Sequence, residues 1–151
     1  MHTRRFAMIL GIIFLVVGVA GFIPGVNQMH DRHSDLTVHG PGHGLLLGLF
    51  HVNVLHNLVH VVFGVAGLAC SGSFLAARGY ARFVAIAYGV LGIMGLIPAT
   101  SNVWGLVPIE GHDVWLHFGI AAVAAYFGFV HRTVGDEARV VRTDTTVPPA
   151  V

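Results

Sequence analysis

Histidines and one aspartate recur at a spacing that could build a polar or metal-binding site. His56 and His60 are four residues apart, as are Asp113 and His117. On helices, residues at this spacing share one face, because a turn takes about 3.6 residues. Imidazole and carboxylate groups are ligands for zinc, copper and iron. The four side chains could therefore hold one divalent metal ion, if the two helices face each other.

Two asparagines lie in the same helical sector as the first histidine pair. Asn53 and Asn57 could hydrogen-bond to metal-bound imidazoles and orient them. A non-covalent haem held by His60 and His117 is a less favoured variant, and no Cys-x-x-Cys-His motif is present for covalent attachment. His-x-x-x-His alone is a common pattern, and no glutamate follows His56 as it would in a zincin. We therefore favour the alternative in which these groups hydrogen-bond across helices and lock a bundle.

The composition is typical of a membrane protein. Hydrophobic residues make up 55% of the 151 residues and charged residues 10%, and the mean hydropathy is +0.77. We expect an all-α protein whose transmembrane helices span about 6–23, 55–77, 83–98 and 114–131. Residues 44–54 would then form an extra helical turn or an interfacial segment, or belong to one long tilted helix. A net charge of +1, with no basic stripe among aromatics, argues against a nucleic-acid partner.

A seven-residue motif occurs twice and divides the chain into two halves. It reads Gly18-Val19-Ala20-Gly21-Phe22-Ile23-Pro24 and then Gly92-Ile93-Met94-Gly95-Leu96-Ile97-Pro98. Each copy is followed by a loop and by a helix entry that carries one of the polar pairs. This predicts two tandem, parallel two-helix repeats, related by a pseudo-two-fold axis along the membrane normal. The Gly-x-x-Gly spacing suits close packing between helices.

The arginines predict the orientation. Seven of the eight fall on one side of the expected spans, and only Arg32 falls on the other; the seven are Arg4, Arg5, Arg78, Arg82, Arg132, Arg139 and Arg142. By the positive-inside rule, both termini are cytoplasmic. Trp104 and Trp115 lie near the outer interface, where tryptophan is enriched.

Most histidines fall on the expected outer side or in the outer ends of spans two and four. They are His30, His33, His39, His43, His51, His56, His60, His112 and His117. The outer loop at 24–44 holds four of them and could collect metal, or could simply be a solvated loop. We expect residues 1–132 to form the transmembrane domain and 133–151 a cytoplasmic, partly disordered tail.

One segment resembles a known family. Gly48 to His60 reads Gly-Leu-Phe-His-Val-Asn-Val-Leu-His-Asn-Leu-Val-His and precedes a glycine-rich span. It resembles the bacterial membrane family catalogued as domain of unknown function 4383, over roughly residues 5–131. The resemblance implies a four-helix protein of the bacterial cytoplasmic (inner) membrane. It implies no activity, so no catalytic residues follow from it.

Three functional hypotheses follow. The first is a structural or accessory subunit in the lipid bilayer, bound to a protein partner or to copies of itself through small-residue helix faces. The second is a metal- or haem-binding membrane protein. The third is a small transporter or a proton relay, since imidazole titrates near neutrality. No nucleophile–base pair, phosphate loop or paired carboxylates are apparent, so we do not expect an enzyme.

Overall fold

Helices dominate the part of the chain that the computed structural model describes, residues 2–29, 41–109 and 111–131. The elements are α1 (His2–Ala20), β1 (Asn27–Met29), β2 (Gly44–Leu46), β3 (Phe50–Val52), α2 (Val54–Cys70), α3 (Phe74–Leu96) and α4 (His112–Ala125), which continues as a π-helical turn over Tyr126–Val130. The expected tail and residues 30–40 of the expected outer loop lie outside the described residues.

Three of the four helices are long and apolar enough to cross a membrane. They are α1, α3, and α4 with its π-helical turn. Helix α2 is also apolar but has only 17 residues, fewer than the other three. Large apolar side chains point away from the bundle along α1, where Ile12, Val16 and Val19 are each about half exposed or more. Such surfaces suit lipid and not water, which indicates a membrane protein.

The boundary between α2 and α3 lies at residues 71–73, not at 78–82 as the sequence suggested. The Ser71 hydroxyl donates to the carbonyl of Leu68, at 2.7 Å, where α2 ends. The Ser73 hydroxyl accepts from the backbone N–H of Ala76, which caps the start of α3. These local hydrogen bonds stop one helix and start the next within an unbroken apolar region. Arg78 and Arg82 therefore belong to α3 and not to a loop.

The segment before α2 forms strands, so it is neither an extra helical turn nor part of one long helix. β1, β2 and β3 form an antiparallel sheet in that order, with Asn27 opposite Leu46 and Leu46 opposite Phe50. Between β2 and β3 the backbone reverses at Leu47 and Gly48, both of which have positive φ. The Asn27 side chain fixes the sheet to the end of α1 by donating to the carbonyl of Gly21, at 3.0 Å.

The helices pack mainly in sequential pairs, α1 along α2 and α3 along α4. Glycines allow the closest approach. A methyl group added at Gly11 would lie 2.9 Å from the backbone oxygen of Gly64, and one added at Gly64 would meet the backbone of Gly11 and Leu15. The core between the pairs is built from buried side chains of all the long helices; among them are Ala7, Leu10, Phe14, Ala77, Tyr80, Val84, Tyr88, Ala121 and Ala124.

Candidate functional site

The start of α2 is fixed by Asn53. Its side-chain oxygen accepts from the backbone N–H of His56 at 2.8 Å, which is an N-cap. Its amide nitrogen donates to the carbonyl of Leu106 at 2.7 Å, in the loop between α3 and α4. Asn53 is 2% exposed. Both ends of this side chain are therefore used for structure, and it is not available to orient an imidazole.

His60 and His117 hold their rings in the same way. The Nδ1 atom of His60 lies 3.0 Å from the backbone oxygen of His56, and that of His117 lies 2.7 Å from the backbone oxygen of Asp113. A carbonyl oxygen can only accept, so each Nδ1 carries a proton in this arrangement. The lone pair of each neutral ring is then on Nε2. His117 Nδ1 also lies 3.6 Å from Oδ1 of Asp113, within ion-pairing distance.

Two aromatic rings connect the histidines of α2 and α4. The ring centroids of His60 and Phe14 are 5.5 Å apart, and those of His117 and Tyr88 are 4.8 Å apart. Phe14 and Tyr88 stack on each other in turn, with centroids separated by 5.3 Å. The His56 ring adjoins that of His60, at 4.7 Å. A continuous row of five rings thus crosses the bundle.

Three buried polar atoms near this row have no hydrogen-bond partner among the residues that the structure describes. They are Nδ1 of His56, Nδ2 of Asn57 and Oδ2 of Asp113. Their residues are 4%, 2% and 5% exposed. Each orphaned polar atom costs free energy unless a water molecule, a proton or another polar group satisfies it. These atoms mark the most polar part of the interior.

The two polar pairs that the sequence singled out lie near each other in the fold. His60 and His117 are connected through only two intervening rings, those of Phe14 and Tyr88. Even so, no set of three His, Cys, Asp or Glu side chains in the described residues is arranged to hold a metal ion. The rings stack on one another, and His60 and His117 direct their Nδ1 atoms to the backbone, so the side chains do not converge on one point.

Other described histidines form two further histidine–histidine ring contacts. His43 and His51 stack beside the sheet, with centroids 5.9 Å apart. His2 and His131 meet at the opposite end of the bundle, where Nδ1 of His131 lies 3.1 Å from the Thr3 hydroxyl. Of the expected outer-loop histidines, His30, His33 and His39 lie outside the described residues.

Sequence reasoning missed Phe14 and Tyr88. Single aromatic residues in apolar helices carry no signal of their own, since most of them face the core or lipid. One signal was present: each ring lies four residues before the first glycine of the repeated motif, Gly18 or Gly92. Aligning the two halves along their whole length would have paired the two positions.

Comparison with known proteins gives the family of the chain. The family model described as Domain of unknown function (DUF4383) matches residues 4–130. No curated protein and no solved structure gives a significant match. The matched region contains α2, α3, α4, all but the first two residues of α1, and the whole row of rings. Since it spans most of the chain, the protein belongs to the family described as Domain of unknown function DUF4383.

Proposed function

We propose that this protein is a structural or accessory subunit of a membrane assembly, with helix packing as its main activity. The proposal rests on one observation: glycines and polar side chains of the interior serve as contacts that pack and fix the helices. Glycines let α1 and α2 approach until their backbones are in contact. Asn53, which caps α2, binds the backbone of the loop after α3, and His60 and His117 bind the backbone of their own helices. Such an interior locks helices together and leaves little room for a substrate.

The proposal includes a repeat architecture of two parallel two-helix halves. Aligning the halves on the repeated motif and on His60 and His117 pairs several contacts. Phe14 against His60 matches Tyr88 against His117. Two glycine contacts between helices also correspond. Gly18 contacts Val61 in the first half, and Gly92 contacts Phe118 in the second. Likewise, Gly21 contacts Asn57, and Gly95 contacts Val114. Near the helix ends, Arg4 donates to the carbonyl of Ser71 in the first half. In the second half, Arg78 donates to the carbonyl of Gly128. Agreement at four separate places supports a common ancestor for the halves.

The proposed orientation places both termini in the cytoplasm of a bacterial cell, with α2 as the fourth span. All four arginines within the described residues lie at one end of the bundle, where Arg4 contacts the α2–α3 turn and Arg78 and Arg82 contact the π-helical turn. At the other end, residues 41–53 and 97–109 contain no Asp, Glu, Lys or Arg. This asymmetry supports the positive-inside assignment.

The experiment is elemental and optical analysis of the detergent-purified protein beside the double variant His60→Ala/His117→Ala. If the row of rings only locks the bundle, the wild type carries no stoichiometric metal and no haem band, and the variant unfolds at a lower temperature. About one metal per chain in the wild type, lost in the variant, would overturn the proposal. Cross-linking in native membranes then identifies the subunit's neighbours, whether copies of itself or another protein.

A second candidate function is a proton relay through the row of rings. The orphaned Nδ1 of His56 and Oδ2 of Asp113 favour it, because both are buried groups that can gain or lose a proton. Proton flux into liposomes containing the wild type, compared with His56→Gln and Asp113→Asn, tests this role. Flux at the rate of empty liposomes for all three proteins would reject it.

A further inference from the structure

A cavity of about 280 Å³ opens between the first turns of α1 and the turn that joins α2 to α3. Its lining residues are Arg4, Arg5, Met8, Ser71 and Gly72. Nε of Arg4 donates to the backbone oxygen of Ser71 at 2.9 Å, which fixes that guanidinium at the edge of the cavity. Both arginines are exposed, so the cavity is open to the surroundings and basic.

The positive charge at this end has no counterpart within the described residues. Asp113 is the single carboxylate side chain among them, and it is buried near the opposite end of the bundle. Arg4 and Arg5 therefore face the cavity with no described acidic side chain to neutralise them. An anion from outside this part of the chain would do so.

The second half of the molecule differs from the first at the corresponding place. There, Arg82 fills the corresponding space: its Nε donates to the Gly128 carbonyl at 2.8 Å, and its guanidinium lies 5.4 Å from the centroid of Phe129. In α1 the corresponding residue is Met8. It lies ten residues before the first copy of the repeated motif, and Arg82 lies ten residues before the second copy. Methionine leaves the Ser71 carbonyl to Arg4 alone, and the space stays open.

We propose that this cavity binds the phosphate of an anionic phospholipid headgroup. Guanidinium groups pair with phosphate oxygens through two parallel hydrogen bonds, and the side chains of Arg4 and Arg5 both line the cavity. Met8, 42% exposed on the next turn of α1, gives the lipid's glycerol and upper acyl chain an apolar contact. The inference requires the chain to lie in a membrane, but not the subunit role proposed above.

Native mass spectrometry of the full chain tests the site. The detergent-purified protein is offered equal amounts of phosphatidylglycerol and phosphatidylcholine, and the ratio of the two single-lipid adducts is measured. The wild type retains phosphatidylglycerol preferentially. Arg5→Gln reduces that preference about 5-fold, the effect expected for removing one arginine beside an anionic lipid. Arg4→Gln/Arg5→Gln abolishes the preference.

Arg78→Gln is the matched control, since it removes one arginine from the same end of the bundle but not from the cavity. It leaves the lipid ratio at the wild-type value. If Arg78→Gln and Arg5→Gln reduced the preference for phosphatidylglycerol equally, the lipid would be attracted to the basic surface in general. That result would overturn the site. Full displacement of phosphatidylglycerol by millimolar sn-glycerol 3-phosphate would also overturn it, because the cavity would then recognise a soluble phosphate and not a lipid.

Discussion

Phe14 of α1 and Tyr88 of α3 stack with their ring centroids 5.3 Å apart and their planes inclined by 18°. Each ring also contacts one histidine, Phe14 on the side of α2 and Tyr88 on the side of α4. The stack is therefore the one place in the row of rings where the two helix pairs meet directly. It is one of several aromatic contacts between the proposed halves, beside those of Phe63 with Phe83 and of Phe6 with Phe127.

Removing the stack is expected to loosen the bundle. Phe14→Ala removes a side chain that is 2% exposed and leaves a cavity against Tyr88 and His60, at a cost of about 3 kcal/mol. Tyr88→Phe retains the stack and should unfold near the wild-type temperature. The measurement is thermal unfolding in mild detergent. Val16→Ala, on the exposed face of the same helix, is the control; a loss in Phe14→Ala no larger than in that control would contradict this role.

Glycine-to-alanine substitutions are expected to have opposite effects at Gly11 and Gly79, because the space around the two glycines differs. In Gly11→Ala the new methyl group meets the backbone of Gly64 and Leu68 at 2.9 Å, and backbone atoms cannot move aside cheaply. We expect it to lower stability by about 2 kcal/mol, as overpacking does. Gly79→Ala places a methyl group where nothing lies within 4 Å, so it should gain about 0.5–1 kcal/mol of helix propensity. Equal unfolding temperatures for the two variants would refute the close packing of α1 and α2.

The sequence predicted the helices and the polar pairs because both depend on short-range patterns. A run of apolar residues indicates a segment buried in lipid or in the protein core. Polar residues four apart in the sequence share one face of a helix. The spacing therefore placed His60 on one helical face with His56, and His117 on one face with Asp113. The pairing of His60 and His117 with Phe14 and Tyr88 depends instead on how α1 crosses α3, a long-range property that no single helix encodes.

The missed boundaries have a different cause. Hydropathy does not change between α2 and α3, because Ser71, Gly72 and Ser73 interrupt the apolar residues only briefly. The hydroxyl hydrogen bonds that end one helix and cap the next are local events, too small to register in a window of about 20 residues. The three-residue strands β2 and β3 were missed likewise, because their apolar residues resemble the start of a span.

Asn53 links α2 to the loop between α3 and α4, and its two ends can be tested separately. Asn53→Ala loses both the N-cap to His56 and the donor to Leu106, so we expect a loss of about 2–3 kcal/mol. Asn53→Ser keeps a neutral capping oxygen and loses the amide donor to Leu106, so its loss should be smaller. Ser73→Ala removes an exposed cap and serves as the reference, at about 1 kcal/mol. Stability is measured by denaturant titration in detergent. Equal losses in the two Asn53 variants would mean that the cap contributes little.

The proposed orientation predicts which loop is reached from each side of the membrane. In a Cys70→Ser background, Ala99→Cys places a thiol in the loop after α3, and Gly72→Cys places one in the turn after α2. With both termini inside, a membrane-impermeant maleimide labels the A99C variant in intact cells and the G72C variant only after lysis. Both positions are exposed, so folding should not hide either thiol. Labelling of the G72C variant in intact cells, with the A99C variant protected, would reverse the orientation.

Replacing Asp113 tests whether its carboxyl group is an essential charged partner of His117. The carboxyl group is 5% exposed, its Oδ2 has no hydrogen-bond partner within the described residues, and Oδ1 lies 3.6 Å from His117. Burying a poorly paired carboxyl group is costly, so Asp113→Asn, which has the same shape and no charge, should unfold at the wild-type temperature or above. His117→Ala should lose about 2 kcal/mol, because it removes the ring that stacks on Tyr88. If Asp113→Asn instead destabilised the protein as much as His117→Ala, the ionised carboxylate would be an essential partner of His117, and the pair would act as a charge pair within the bundle.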